Sequence, residues 1–161
     1  MSGERFEGKI VSGVMVVAAH PDGRLLFVAQ QKGPFGGHWL LPGGGIEYGE
    51  SAVEAAVREF REETGLELEA PRFVGVYEMR GRWQHGSYHL IMLCFAGTAQ
   101  GEIPPGFEGD GVGGVRWARL GEIPLHATDL RILTDAGLAA FDEAEIAAAL
   151  EQAGIQLKVY Q

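Results

Sequence analysis

Short apolar runs alternate with glycine- and proline-rich segments along the first third of the chain. Ile10–Ala19 and Leu25–Gln30 are rich in β-branched and other apolar side chains, and His20–Arg24 between them has the composition of a turn. This pattern predicts a β-hairpin. Three further segments of similar character are predicted to be strands: Arg72–Met79, Tyr88–Thr98 and Val115–Ala118.

The clearest predicted helix covers Ser51–Thr64. Ser51 and Glu54 have the spacing of a capping box, and Gly65 stands where a left-handed residue commonly ends a helix. An apolar stripe at helical spacing is expected to face the core: Val53, Val57, Phe60 and Thr64.

A second helix is predicted over Asp142–Ala153, opened by Asp142 with Glu145 three residues later. Gln100–Gly114 is rich in glycine, proline and acid and has no periodic pattern, so it is predicted to be a long loop. Hairpins mixed with helices indicate an α/β or α+β domain in which helices cover both faces of a mixed sheet.

Length and composition set the class of protein. The 161 residues, 46% of them apolar, are enough for one core and favour a single domain over residues 1–161. No uncharged apolar run approaches the ~20 residues that span a bilayer. The first residues, MSGERFEGK, lack the apolar stretch of a secretory signal. We therefore expect a soluble, cytoplasmic protein that does not enter membranes.

The formal net charge of −9 constrains the partners. It repels a phosphate backbone and leaves no basic patch to follow one, so we expect no binding to nucleic acid. Small phosphate compounds remain accessible if metal ions neutralise the encounter. The sequence carries no signal for oligomeric state, and a homodimer is compatible with it.

The predicted central helix carries an unusual cluster of acids. Glu59, Glu62 and Glu63 lie at i, i+3 and i+4, so they share a face and repel one another. Clustered carboxylates suit Mg²⁺, which is commonly held by a few carboxylates together with substrate phosphates. A solvated acidic face is the alternative. Pro42–Gly45, just before the helix, is glycine-rich and allows main chain to come close to these acids.

The same residues form a recognisable signature. Without a gap, the segment Gly44-x5-Glu50-x7-Arg58-Glu59-Phe60-x-Glu62-Glu63-x-Gly65-Leu66 resembles the Nudix box of the Nudix hydrolases, with Phe60 where an aliphatic residue is usual. The preceding Trp39-x-Leu41-Pro42-Gly43-Gly44-Gly45 is also similar to the family's approach to its box. The resemblance implies an α/β/α sandwich with a mixed β-sheet between helices.

The resemblance also implies roles for individual residues. Glu59, Glu62 and Glu63 are expected to bind Mg²⁺ or Mn²⁺, together with a backbone carbonyl from the Gly44 region. Glu59, Glu62 and Arg58 are the expected catalytic residues. Glu59 is a metal ligand, the base for the attacking water, or both. Arg58 orients the glutamates or simply pairs with Glu62 along the helix.

The role of the acids in a loop late in the chain is less clear from the sequence. Many members of the family carry another glutamate there, upstream of a Val-x-Trp strand, as a metal ligand or base. In Glu108–Trp117 glycines occupy the expected positions. Glu108 or Asp110 could take that role, and solvated loop acids are the alternative.

The implied reaction is cleavage of a nucleoside diphosphate linked to another moiety. ADP-ribose and dinucleoside-polyphosphate subfamilies often show a proline or tyrosine a short distance past the box, and Arg80–Gln84 contains neither. Elimination favours a nucleoside triphosphate cleaved to the monophosphate and pyrophosphate. The alternatives are hydrolysis of ADP-ribose, a nucleotide sugar or a dinucleoside polyphosphate, nucleotide sensing without catalysis, and isopentenyl diphosphate isomerisation, for which Cys94 is poorly placed.

Three residues are candidates for substrate binding. Lys32 precedes the glycine-rich loop, where it could touch a phosphate. Arg82 and Trp83 lie in the segment joining two predicted strands and offer a cation and an indole that could stack on a base. Simple surface exposure is the alternative for all three.

Overall fold

The computed structural model describes residues 6–161, in which eight strands form one mixed sheet and three helices cover it. The strands are β1 (Ile10–Ala19), β2 (Leu25–Gln30), β3 (Trp39–Leu40), β4 (Gly43–Gly45), β5 (Glu69–Trp83), β6 (Gly86–Thr98), β7 (Val112–Ala118) and β8 (Gln156–Tyr160). The helices are α1 (Ala52–Thr64), α2 (Ala127–Asp135) and α3 (Glu143–Ala153).

The strand order is β3-β2-β1-β6-β5-β8, with β4 paired to β1 and β7 paired to β2. The pairing of β1 with β6 is parallel, and the remaining pairs are antiparallel. The predicted β1–β2 hairpin is confirmed, since Ala19 pairs with Leu25 across the turn. None of the helices in the described part of the chain combines the length and apolarity needed to cross a lipid bilayer.

The two faces of the sheet carry separate apolar cores. Successive residues of β1 point to opposite faces, so Val14 and Val16 pack with Phe60 of α1, whereas Met15 and Val17 lie in the core that includes α2. Helix α1 thus covers one face, and α2 with α3 covers the other. The predicted α/β/α sandwich is confirmed.

The ends of α1 are as predicted, but its buried stripe differs. Ser51 accepts a hydrogen bond from the Glu54 N–H at 3.2 Å, and Gly65 ends the helix with φ 75°. The expectation that Val53 faces the core is wrong, because its side chain is 38% exposed. Two alanines are buried beside Phe60 instead, and their small side chains let the backbones of β1 and β4 come close to the helix.

Four described elements are absent from the sequence-based prediction: the short strands β3 and β4, helix α2 and strand β8. Helix α2 begins after His126, whose side chain accepts a hydrogen bond from the Thr128 N–H. Histidine is not among the residues that commonly begin helices, so the pattern gives no start signal there. Strand β8 is a short edge strand paired only with β5. The long loop is shorter than predicted, because β7 already begins at Val112.

Candidate active site

The glycine-rich loop lies directly against the acidic face of α1. Gly44 pairs with Val14 of β1, and a Cβ atom added to Gly44 would collide with the carboxyl group of Glu59. A side chain at position 44 would therefore require the Glu59 carboxyl group to move. The close main-chain approach predicted for this loop is confirmed.

Arg58 connects the loop to three carboxylates. Its Nε donates to Glu50 Oε2 at 2.6 Å, its Nη1 donates to Glu59 Oε1 at 3.0 Å and Glu62 Oε2 at 3.2 Å, and its Nη2 donates to the Gly45 carbonyl at 2.9 Å. The hydrogen bond to Glu62 is an ordinary i,i+4 pair along the helix. The hydrogen bonds to Glu50 and Gly45 also join Arg58 to the segment that precedes the helix. The hydrogen bonds from Arg58 lower the pKa of Glu50 to about 2. This network fixes the direction in which the carboxyl groups point.

Glu63 is buried at the inner edge of the cluster, with 4% of its surface exposed. Its Oε1 accepts a hydrogen bond from the Gly43 N–H at 2.8 Å, and its Oε2 accepts one from Gln30 Nε2 at 3.3 Å. Burial raises the pKa of Glu63 to about 8, and the negative charges of Glu59 and Asp110 add to that rise. The environment of this carboxylate therefore lacks positive charge.

Glu59 experiences a similar but weaker effect. Burial raises its pKa, Arg58 opposes the rise, and the charges of Glu62 and Asp110 add to it. Glu62 differs because its side chain is 41% exposed and can turn in solvent. A carboxylate whose pKa is raised takes up a proton more readily, which is the property that a general base requires.

The late loop packs on the C-terminal end of α1. The Asp110 N–H donates to the Glu62 carbonyl at 3.2 Å, and a Cβ atom on Gly109 would collide with the Glu63 carbonyl. Of the two loop acids considered from the sequence, Asp110 is the one whose charge acts on Glu59 and Glu63. Sequence spacing alone did not distinguish it from Glu108.

The donor set fits a hard divalent cation in its chemistry. Carboxylate and main-chain oxygens are the ligands that Mg²⁺ and Mn²⁺ prefer. Burial, to which the charges of neighbouring acids add, raises the pKa of Glu59 and Glu63, and a cation would offset both effects. Within residues 6–161, however, no three acid, histidine or cysteine side chains converge as they do around a bound ion. Arg58 and the Gly43 N–H occupy one oxygen each of Glu59 and Glu63, so a shared cation requires these side chains to adjust.

A cavity of about 170 Å³ opens beside the glycine-rich loop. Its lining includes the main chain of β4 and the apolar side chains Leu40, Met79, Leu90 and Met92. Four polar side chains also line it: Ser12, Gln30, Lys32 and Thr128. Lys32 also lines an adjoining cavity of about 450 Å³, together with Trp83. Trp83 packs edge-on against Phe6, with ring centroids 5.6 Å apart.

The structure brings two of the three predicted substrate-binding residues together. Lys32 and Trp83 share one cavity, whereas Arg82 lines two others. Arg82 and Trp83 are neighbours in β5, so their side chains leave the strand on opposite faces. Thr128 was not identified from the sequence because α2, which carries it, was not predicted.

A second buried carboxylate lies behind this cavity. Asp129, in the first turn of α2, is fully buried, and within residues 6–161 neither of its oxygens has a hydrogen-bond partner of good geometry. Burial raises its pKa to about 8, and the nearby Leu41 N–H and Thr128 side chain only partly oppose that rise.

The chain is similar in sequence to known proteins. The NUDIX domain family matches residues 9–136. An ADP-ribose pyrophosphatase of Methanocaldococcus jannaschii is 40% identical over 74 residues, which cover 46% of this chain and 43% of that protein. A putative 8-oxo-dGTP diphosphatase of Bacillus subtilis is 33% identical over 113 residues, covering 70% and 69%.

A solved structure agrees with these sequence matches. The MutT NUDIX hydrolase of Burkholderia pseudomallei is 25% identical, with a TM-score of 0.59 over 89% of this chain and 98% of that one. The family match covers most of the chain, and the box of acids lies on the helix where the glycine-rich loop meets it. The chain therefore belongs to the Nudix hydrolase family.

Proposed function

We propose that this chain is a metal-dependent pyrophosphohydrolase that cleaves a nucleoside triphosphate to the monophosphate and pyrophosphate. The observation that carries the proposal is the close approach of Gly44 to the Glu59 carboxyl group, which brings the main chain of the glycine-rich loop against the helix that carries the three glutamates. A relative named as a putative 8-oxo-dGTP diphosphatase also supports a triphosphate substrate.

Glu59, Glu62 and Glu63, with the Gly44 carbonyl, are the residues that would hold Mg²⁺ or Mn²⁺. Such an ion lowers the pKa of a bound water and neutralises the charge that develops on the phosphates. The chain's own groups do the rest. Glu59 accepts the proton of the attacking water on its carboxylate, and Arg58 keeps that carboxylate directed at the glycine-rich loop through its 3.0 Å hydrogen bond.

The cavity beside β4 is the proposed nucleoside site. Small-molecule sites are typically lined by apolar side chains with a few polar groups, and Met79, Leu90 and Thr128 provide such walls. Lys32 stands at the rim shared with the adjoining cavity, where its ammonium group can contact a phosphate. Trp83 lines the same adjoining cavity and offers an aromatic surface to the substrate.

The burial of Cys94 argues against isopentenyl diphosphate isomerisation. Cys94 is fully buried in β6, and burial raises the pKa of its thiol to about 12. A thiol that is neither exposed nor ionised is a poor catalytic group.

The cytoplasmic location and a homodimeric state stay predictions.

A substrate panel tests the proposed reaction. With Mg²⁺ present, we expect turnover of a nucleoside triphosphate in preference to ADP-ribose, nucleotide sugars and dinucleoside polyphosphates. Glu59→Gln and Glu62→Gln should each lower kcat roughly a thousandfold, since each removes a metal ligand or base.

Glu54→Gln is the matched control, because Glu54 lies exposed in the first turn of the same helix. It should retain full activity, and circular dichroism should show all three variants folded. Preferred turnover of ADP-ribose would instead agree with the activity named for the archaeal relative. Tight binding of one compound without turnover of any would identify a nucleotide sensor.

A further inference from the structure

A cavity of about 710 Å³ lies where the N-terminal segment, the β5–β6 hairpin and the end of α3 meet. Four basic side chains line it: Lys9, Arg80, Arg82 and His89. Among the described residues that line it, none is acidic. We refer to these four side chains and the cavity between them as the basic groove. Its composition contrasts with a chain whose net charge is −9.

The basic groove is separate from the proposed catalytic helix. His89 pairs with Arg80 on one side and Ile10 on the other, so these three side chains share a face of the sheet. Val14, four residues further along β1, lies on the same face beneath α1. Four residues of strand span about 13 Å. Ile10, Arg80 and His89 therefore lie on the α1 face of the sheet, beyond the part that the helix covers, whereas Tyr88 and the end of α3 border the groove from the other face.

Lys9, Arg80 and Arg82 are exposed, and of these the charge of Arg80 acts on the nearby Glu78 carboxylate, whose pKa is lowered by its hydrogen bond with His89 and also by Arg80. Within residues 6–161, Lys9 and Arg82 make neither an ion pair nor a side-chain hydrogen bond. The acid nearest Arg80 in sequence is Glu78. Its carboxylate already contacts His89 at 2.6 Å and the Tyr160 hydroxyl at 3.0 Å. Like charges that face a common space repel one another unless an anion lies between them.

The end of α3 explains only part of this charge. Ala153 and Gly154 border the groove, and the last turn of α3 contains no basic residue. A cation near the carbonyl end of a helix is favourable, and Arg82 can serve that purpose. One cation is sufficient for one helix end, so the further cations of the groove need another explanation.

The chemistry of the groove matches a phosphate group. Guanidinium groups bind phosphate through two parallel hydrogen bonds, and the cavity volume falls in the range of small-molecule sites. An acid-free lining does not suit metal cations. We propose that the basic groove binds a small phosphate-bearing molecule independently of the catalytic helix. Arg82, predicted from the sequence to touch the substrate, is a ligand of this second phosphate compound.

Pyrophosphate titration of the ¹⁵N-labelled full chain in EDTA tests the proposal. Without divalent ions the acidic face of α1 repels the probe, so binding reports the groove. We expect the NMR signals of the Arg80 and Arg82 Nε–H groups and of the Gly81 and Gly154 amides to shift. The double variant Arg80→Gln/Arg82→Gln should weaken binding by about tenfold or more, because two charge-assisted contacts are lost.

Arg116→Gln is the matched control, since Arg116 is an exposed arginine of β7 outside the groove. It should bind pyrophosphate as the parent chain does. Arg82→Lys separates charge from geometry and should weaken binding less than Arg82→Gln. Absence of shifts up to millimolar pyrophosphate, or shifts confined to α1 and β4, would overturn the proposal. Since no turnover is measured, that result would leave the proposed hydrolase reaction intact.

Discussion

Glu63 on α1 and Asp129 on α2 are both buried carboxylates, and burial raises the pKa of each to about 8. Their surroundings differ. Glu63 accepts hydrogen bonds from Gly43 and Gln30 and lies within the electrostatic influence of other acids. Asp129 has no well-formed hydrogen bond within residues 6–161. Two buried carboxylates thus lie in different chemical environments.

The difference shows what each carboxylate requires. Hydrogen-bond donors orient the Glu63 carboxylate, and neighbouring acids repel its negative charge, so a bound divalent cation would stabilise its ionised form. Asp129 lies in an apolar environment away from those acids, so protonation removes the cost of burying its charge. Burial alone therefore does not distinguish the two groups, whereas the position of Glu63 beside other carboxylates and the glycine-rich loop supports its proposed role as a metal ligand.

The largest expected effect separates the two carboxylates by activity. Glu63→Gln should lower kcat roughly a hundredfold to a thousandfold, because a proposed metal ligand is lost. Asp129→Asn preserves shape and mimics the protonated group, so its kcat should stay within about threefold of the parent. Steady-state kinetics with Mg²⁺ measure both. Equal losses in the two variants would remove the distinction.

A smaller effect concerns stability against pH. Burial raises the pKa of Asp129 from 3.8 to about 8, so between these values the folded chain holds a proton that the unfolded chain lacks. The free energy of unfolding should therefore fall as pH rises from about 4 to about 8, by up to about 1.4 kcal/mol per pH unit. Urea unfolding at several pH values measures this slope.

Asp129→Asn should remove the contribution of one proton from the slope of the free energy of unfolding against pH. The slope that remains should include the contribution of Glu63. Excess Mg²⁺ should flatten that remainder if the ion replaces the proton on Glu63. An unchanged slope in Asp129→Asn would show that Asp129 is ionised in the folded chain.

The smallest effect concerns the cavity between β4 and α2, which separates the two carboxylates. Lys32→Ala should raise KM about fivefold to tenfold and leave kcat nearly unchanged, because Lys32 contacts phosphate equally in the ground and transition states. Lys158→Ala on β8 is the control for the loss of one surface charge. An unaltered KM in Lys32→Ala would exclude Lys32 from the site.

The catalytic helix and its loop could be predicted because their signals are local. Ser51 and Gly65 define the ends of α1, and the three acids follow the helical repeat within a few residues of one another. The burial of Val53 was predicted wrongly because the preference for large apolar residues gave no information on how closely β1 approaches the helix.

The cavity could not be predicted, since its walls come from segments far apart in the chain. Met79, Leu90 and Thr128 lie on β5, β6 and α2, and only strand pairing and helix packing bring them together. Helix α2 begins at an atypical residue, His126, which hid both Thr128 and Asp129 from the sequence pattern. Tertiary contacts, rather than local propensity, determine this part of the molecule.

Gly44 gives the site a vulnerability that its charged residues do not share. A charged side chain can be shortened or neutralised and still leave the space around it, but any addition at Gly44 takes the volume of the Glu59 carboxyl group. An alanine at position 44 would force the Glu59 carboxyl group to turn away from the loop, and we expect that displacement to lower the proposed activity. A related sequence that kept every acid of the box but carried alanine at this position would therefore be expected to hydrolyse its substrate more slowly.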